Sequence, residues 1–491
     1  MRAVGWLLGG AAFAFALDSA AGSPAFFVGR DANPVGGDAA HVVIAHDGTR
    51  TVVSIQRDYR GPAADLALVI PVPSSVQRGN VNVLPRGLVE KVELSTAPFI
   101  VDAWEVDPCP PEDEGDYEPG YGHGMKSEEG QMGSPFSLAM RPRDVHGAFG
   151  ASEYSIEVVS GDDATTFDGW LQRAGYHLPD AAHATLAPYM TKEHSFVVAK
   201  VDPKALHFEL GRAQLSPIRF SYDGDTFTLP LALGGMDGGV RDLVIHVVAR
   251  SRQVVEGRDD ATPPVDVALD VPSARFDAFY GAIFEATLAR HPQAFVTEFA
   301  GSTYGCEDCS GSSANDDDWR LLGFDVLTSL RPGEAVVTRL HGRAPVGDPG
   351  ADVRFRSAGP IRGGTASIDM TSDVRAGEAK DAEGNSFRAR YVNYHPMLGR
   401  SQCSAPYRGS WNVHPLDHPS RTIPARGFAD ASRGVNLAAV SQSDVRSLGL
   451  AAQTSYTFDP WRPVRRGLQW GAAFGLALTC VLVAVRRRRR A

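Results

Sequence analysis

Residues 302–313 read STYGCEDCSGSS and place two residues between Cys306 and Cys309. A C-x-x-C unit serves three chemistries: a redox couple, half of a zinc site, or a cross-link. Redox work needs a stabilised thiolate, as at a helix N-terminus with no acid beside it. Here Glu307 and Asp308 lie between the sulfurs, and their negative charge raises a thiol pKa. The SGSSANDDD that follows reads as loop. A structural zinc ion needs four ligands. His414 and His418, in HPLDHPS, are the candidates for the other two, at H-x-x-x-H spacing. Pro415 between them breaks a helical pair, and the gap from Cys309 is long. No metal is therefore assigned, and Cys306, Cys309, His414 and His418 stand only as second-choice ligands.

The remaining chemistry is cross-linking. Of five cysteines, Cys480 falls in an apolar C-terminal stretch, which leaves Cys109, Cys306, Cys309 and Cys403. An even number in an oxidising compartment favours two disulfides. Cys306–Cys309 with Cys109–Cys403 is the preferred pairing, because a long-range bridge staples an acidic insertion to the C-terminal half. A bond from Cys109 or Cys403 to one member of the C-x-x-C stays open. Two carboxylate clusters, EDEGDYE (112–118) and NDDDW (315–319), offer oxygens of the kind Ca²⁺ takes. Neither fits the calcium-loop pattern, so both read as solvated acidic loops. No G-x-S-x-G, H-E-x-x-H, Walker A or S-x-x-K pattern is present. No catalytic residue and no cofactor is assigned.

The elements that must position these residues are mostly strands. HVVIAHDGTRTVVSIQRDY alternates on both sides of Asp47-Gly48, a dipeptide suited to a tight hairpin. Similar hairpins are expected around Asp223-Gly224 and around Glu383 to Asn385. LALVIPVP (66–73) and RDLVIHVVA (241–249) read as buried strands. Helices are fewer. SARFDAFYGAIFEATLARH (273–291) has Phe276, Phe279, Tyr280, Ile283, Phe284 and Leu288 at helical spacing, with Ser273 as cap. TTFDGWLQRAGYHLPD predicts a short helix closed by Gly175, and LPRGLVEKVELST predicts another. There is no internal repeat. The class expected is α+β: a predominantly antiparallel β ectodomain with a few helices, plus one C-terminal transmembrane helix.

That last element comes from the chain ends. Residues 1–21 run from Arg2 through an apolar stretch to small residues, the form of a secretory signal peptide cut after Ala21. Residues 467–485 carry no charge, and at ~1.5 Å per residue they span roughly 28 Å, near a hydrocarbon core of about 30 Å. The Arg run 486–490 resists crossing and marks the cytoplasmic side. No LPxTG sorting motif precedes the helix. The expectation is a single-pass protein of the cytoplasmic membrane, with residues 22–460 outside and a tail at 486–491. Within the ectodomain, residues 22–255 form a β-rich part containing the acidic, Gly-rich insertion 108–135. Residues 256–460 form an α+β part. The net charge of −10 becomes −18 over 22–460 once the eight Arg of 461–491 are removed, Arg2 and Asp18 cancelling. Such a surface repels phosphate backbones and argues against nucleic acid. The partner expected is the membrane, through the C-terminal helix, and an envelope protein or polymer.

Several stretches together resemble the bacterial domain-of-unknown-function family numbered 2330. They are LALVIPVP, WEVDPC (104–109), GYHLP (175–179), FTLPLALG (227–234), FVTEFA followed by CEDC (295–309), VVTRLHGR (336–343) and YVNYHP ahead of Cys403. Their shared order carries the resemblance. The chain departs from the family in two places: SPAFFVGR has no cysteine, and Asp308 stands where Pro precedes the second Cys. The resemblance implies an envelope location and no particular activity. The reading is of a secreted, anchored protein with a binding or structural role. The alternative is an envelope enzyme, thiol-redox or metal-dependent hydrolase, using the C-x-x-C region.

Overall fold

A computed structural model describes residues 23–105 apart from 31–35, 38 and 63–64, then Cys109. It describes 153–343 apart from 163, 179, 210, 226, 236–241, 266–267, 270–275 and 304–313, and also 352–364, 379–395, 397, 411–412, 421–422 and 437. The fold is α+β, with mixed sheets and few helices.

The organising element is a 12-stranded sheet. At its centre Ala39–His46 pairs in parallel with Asp242–Ala249 and antiparallel with Arg50–Tyr59. Asp242–Ala249 continues antiparallel into Val336–Gly342, and that strand into Phe295–Ser302. Strands from both sides of the 255/256 division thus share one sheet. These central strands are buried along nearly their whole length, which is why they read as apolar runs instead of alternating ones.

Both sheet faces are covered. On one, Val42, Ile44, Val53, Ile55, Leu243, Ile245, Val247 and Leu340 join a core shared with a four-stranded sheet of Phe26–Gly29, Leu66–Pro73, His194–Val201 and Tyr154–Ser160. On the other lie two helices. Leu88–Thr96 buries Leu88, Val89 and Val92 against Val43, Ala45, Val52, Val248 and Val337. Phe276–Arg290 buries Phe276, Phe279, Tyr280, Ile283 and Phe284 against Val296, Ala300 and Tyr391. Each such aromatic or aliphatic side chain contributes about 1.5–3 kcal/mol by leaving water. The cap expected at Ser273 lies outside the described residues.

The Asp47-Gly48 hairpin forms as expected, with Gly48 at φ 101° between the paired strands. The other two hairpins do not. Ile218–Asp223 pairs along its length with Arg50–Tyr59, and its Ile218–Phe220 half pairs with Val81–Val83 on the other side. The chain after Asp223-Gly224 turns away, and Thr228–Leu229 pairs with Val353–Ser357. Around Glu383 to Asn385, Lys380–Asp381 and Ser386–Arg388 do not pair with each other, because Ile361–Gly363 sits between them. The acidic NDDDW stretch is also not a solvated loop. Asn315 caps the helical turn Asp316–Trp319, and Asp318 is buried against Lys91 Nζ at 2.9 Å. Among the described residues no helix is long and apolar enough to cross a membrane, and residues 467–485 lie outside them.

Candidate functional site

The helices Leu88–Thr96 and Phe276–Arg290 meet the central sheet over a row of ionisable side chains. His41, Asp242, His246, Arg339 and His341 project from neighbouring strands to this one face, since alternate positions on a strand share a side. Glu298 joins them through a β-bulge. Thr297 pairs with Leu340 and Phe299 with Arg339, so Glu298 is the extra residue between them. A bulge re-aims the side chain it inserts. Glu93 and Thr96 descend from one helix, Tyr280 and Phe284 from the other.

Arg339 is the centre. Its Nε donates to Glu298 Oε2 at 2.6 Å and its Nη1 to Glu93 Oε1 at 2.5 Å. Glu298 Oε1 accepts from Tyr280 Oη at 2.7 Å and from His341 Nδ1 at 2.8 Å. The other ring nitrogen of His341 faces Asp242 Oδ1 at 3.3 Å, and Phe284 stacks on the ring with centroids 4.0 Å apart. Asp242 Oδ1 also accepts from Arg343 Nη2 at 3.1 Å, and Arg343 reaches on to Glu285. Glu298 is 0% exposed and Arg339 and His341 1% each, so water does not reach this end of the network.

The charge states follow from those contacts. Burial pushes the Glu298 carboxyl up, but His341 and Arg339 outweigh it and hold it at about 2. Burial likewise opposes the charge on Glu93, and Arg339 beside it still holds it well below the ordinary carboxylate range. His341 is pulled down by burial and up by Glu298 and Asp242, which leave it at about 9. Both its nitrogens face carboxylates, so it is an imidazolium. His246 goes the other way: burial lowers it to about 3. Its Nε2 lies 2.8 Å from Thr96 Oγ1 and 3.4 Å from Arg339 Nη1, and burial beside that guanidinium keeps the ring neutral. Three carboxylates (Glu93, Glu298, Asp242) thus face three cations (Arg339, His341, Arg343). The Glu93 end is less complete. His41 Nδ1 lies 3.4 Å from Glu93 Oε1, and Glu93 Oε2 and His246 Nδ1 have no hydrogen-bond partner among the described residues.

Of the cysteines expected to cross-link, Cys109 is half-buried and disulfide-bonded. Cys306, Cys309, Cys403, His414 and His418 lie outside the described residues. The two ends of the C-x-x-C segment are fixed, however. Thr303 donates to Pro332 O at 2.6 Å and its carbonyl accepts from Trp319 Nε1, while Ala314 N donates to Ser95 Oγ. Among the described residues no three of His, Cys, Asp or Glu are arranged to hold a metal ion.

Sequence reasoning passed over the ion network. The signal was there: His, Glu, Arg and Asp stand at inward positions of strands otherwise apolar, and a buried charge must be paired. Four such strands imply partners for one another.

No curated protein matches the chain. A crystal structure of baculovirus P35 aligns at 12% identity over 50% of this chain and 70% of that one, with a TM-score of 0.24. That score carries no argument about fold or function. The family described as an uncharacterized protein conserved in bacteria matches residues 19–350, which takes in six of the seven stretches quoted above, all but the last. The chain belongs to that family, DUF2330.

Proposed function

We propose that this chain is an exported envelope protein with a non-catalytic binding or structural role. Residues 467–485 anchor it in the cytoplasmic membrane and residues 22–460 face outward. The observation that supports the reading is the closed Glu298 end of the ion network. A catalytic constellation needs its acid and base within reach of a substrate. Glu298, Arg339 and His341 instead spend their hydrogen bonds on one another behind two helices. The sheet is thereby a rigid, charge-balanced scaffold, and the recognition surface for an envelope protein or polymer belongs to its exterior.

The cysteines staple that scaffold. Phe99–Glu105 and Arg390–His395 run parallel, with Trp104 opposite His395, so both strands leave the sheet at one end. Cys109 follows the first strand and Cys403 the second. That topology supports Cys109–Cys403, leaving Cys306–Cys309 as the second bridge.

The test is an intact mass of the purified 22–460 ectodomain, native and then denatured, without reductant. Two bridges and no metal, with peptide mapping that joins Cys109 to Cys403, is the expected result. Free thiols, or a zinc-sized mass lost on denaturation, would turn the reading toward an enzyme that uses the C-x-x-C region with His414 and His418.

A further inference from the structure

The five-stranded sheet carries an exposed aromatic stack at one end. Phe99–Glu105 and Arg390–His395 run side by side in unbroken parallel register, so positions 100, 102 and 104 share one face with 391, 393 and 395 opposite them. The row at 100 is core: Ile100 and Tyr391 are buried with Phe276, Phe279 and Tyr280. The row at 104 is not. The Trp104 indole is 38% exposed and lies on the His395 ring, with centroids 4.2 Å apart and planes 15° apart. Asn412 stands opposite Trp104 on its other side, and Asp102 with Asn393 form the row between. Among the described residues three large apolar side chains are exposed, Trp104, Phe208 and Met397. Two of them share this place, since Met397 N donates to Glu105 Oε2 at 3.0 Å.

We propose that this end of the sheet is a shelf for an uncharged glycan, with one sugar ring laid on the Trp104 indole and its hydroxyls met from positions 102, 393 and 412. The inference deepens the binding role proposed above and rests on it. A pyranose ring has an apolar face of C–H groups and a rim of hydroxyls. The exposed indole offers the flat apolar partner. Stacking on His395 holds it in place before a ligand arrives, which lowers the cost of binding. Asp accepts hydrogen bonds and Asn both accepts and donates, the two capacities that hydroxyls need. The rows at 102 and 104 hold no Lys or Arg, so they do not favour a phosphate- or sulfate-bearing polymer. A stable protein interface buries roughly 800 Å² on each side. An indole 38% exposed and one methionine supply a small part of that, but they match a single sugar ring.

The experiment titrates the purified full chain, in a detergent with no sugar headgroup, by calorimetry. The probes are the tetramers of N-acetylglucosamine, β-linked glucose and α-linked glucose, with polygalacturonate as the anionic comparison. At least one uncharged tetramer is expected to bind in the millimolar range or tighter. Trp104→Ala should weaken it about tenfold or more, Trp104→Phe should keep most of the affinity, and Phe208→Ala should change nothing. No binding by the wild type, an unaffected Trp104→Ala, an equal loss in Phe208→Ala, or tighter binding of polygalacturonate each overturns the shelf. So does a wild-type dimer, seen by light scattering, that Trp104→Ala dissociates, because the patch is then an interface between copies. If Trp104→Ala does not fold, Asn412→Ala decides: weakened binding supports the shelf and unchanged binding overturns it. The envelope reading is checked apart. A membrane-impermeant amine reagent added to spheroplasts should label the exposed Lys192 and Lys204. An unlabelled chain sinks that reading and the shelf together, whereas labelling without glycan binding overturns the shelf alone.

Discussion

Arg339 and Glu298 meet across the Val336–Gly342 and Phe295–Ser302 strands at 2.6 Å, at the bulge where Phe299 takes the register position opposite Arg339. One guanidinium thereby holds two carboxylates from elements 205 residues apart in sequence, Glu93 and Glu298.

Removing Arg339 should therefore cost far more than removing an exposed arginine. Arg339→Ala strips Glu93 of its guanidinium and leaves Glu298 with His341 as its remaining cation, and breaking such a buried pair from one side costs about 3–5 kcal/mol. The expected result in urea unfolding of the ectodomain is a midpoint lowered by that much with an unchanged slope. Arg339→Met combined with Glu93→Gln should recover part of the loss, because one cation and one carboxylate are removed together and Glu298 keeps His341. A double variant no more stable than Arg339→Ala would mean that packing, and not charge, is what the arginine supplies.

Stability should peak near neutral pH, for separable reasons. The Glu298 and Glu93 carboxyls are depressed in the fold, so the unfolded chain binds more protons below about 4.5 and stability falls as pH drops toward about 2. His246 adds to the acid limb: it stays neutral in the fold down to about 3 but protonates near 6.5 when unfolded. His341 has the opposite sign. Its folded value of about 9 lies above the unfolded one of about 6.5, so its contribution is complete below about 6.5 and is lost as pH rises through about 9. Urea midpoints from pH 5 to 10 should decline on the alkaline side in the wild type. His341→Gln should be less stable at pH 6 and should lack that decline. An identical alkaline limb in both chains would contradict the imidazolium assignment.

The sheet strands, the Asp47-Gly48 hairpin and the helices over 88–96, 164–174 and 276–290 were legible because periodicity and turn chemistry are local. What failed was pairing. Asp223-Gly224 has the right dipeptide for a hairpin, but the strand before it pairs with strands distant in sequence and Thr228–Leu229 pairs with Val353–Ser357. The ion network was missed for a related reason: its charged residues are spread over four strands and a helix distant in sequence, and only the crossover topology brings them together.

Asp47 offers a test of how the hairpin tip is fixed. Its Oδ1 accepts from Thr49 N and Arg50 N, and its Oδ2 from Thr328 N and Ser329 N. Burial raises its pKa, but these amides outweigh it and hold the carboxyl far below its usual range. Asp47→Ala strips four amides of an acceptor at once and is expected to cost on the order of 2 kcal/mol or more. Asp47→Asn, which keeps one oxygen, should cost less. Thermal unfolding of the two variants side by side checks the order, and equal losses would show that the 328–329 contact contributes little.

The family match ends at residue 350, but the fold does not. Val353–Ser357 bridges Thr228–Leu229 and Gln253–Val255. Asp352 accepts from Tyr189 Oη and from Leu231 N. Ser386–Arg388 covers the outer edge of Phe295–Ser302, and Tyr391, fully buried, packs among Phe276, Phe279 and Tyr280 under the network helix. A chain cut at 350 would strip these partners from the Phe276–Arg290 helix and expose its aromatic stripe, at roughly 1.5–3 kcal/mol for each large side chain returned to water. Four or five such groups come to roughly 6–15 kcal/mol, comparable to the whole stability of an ordinary domain, about 5–15 kcal/mol. Residues 22–350 are expected to show no cooperative unfolding transition, whereas 22–425 should unfold with one. A cooperative 22–350 fragment would mean that the matched region is a domain in its own right and that the strands after 350 are an accessory layer upon it.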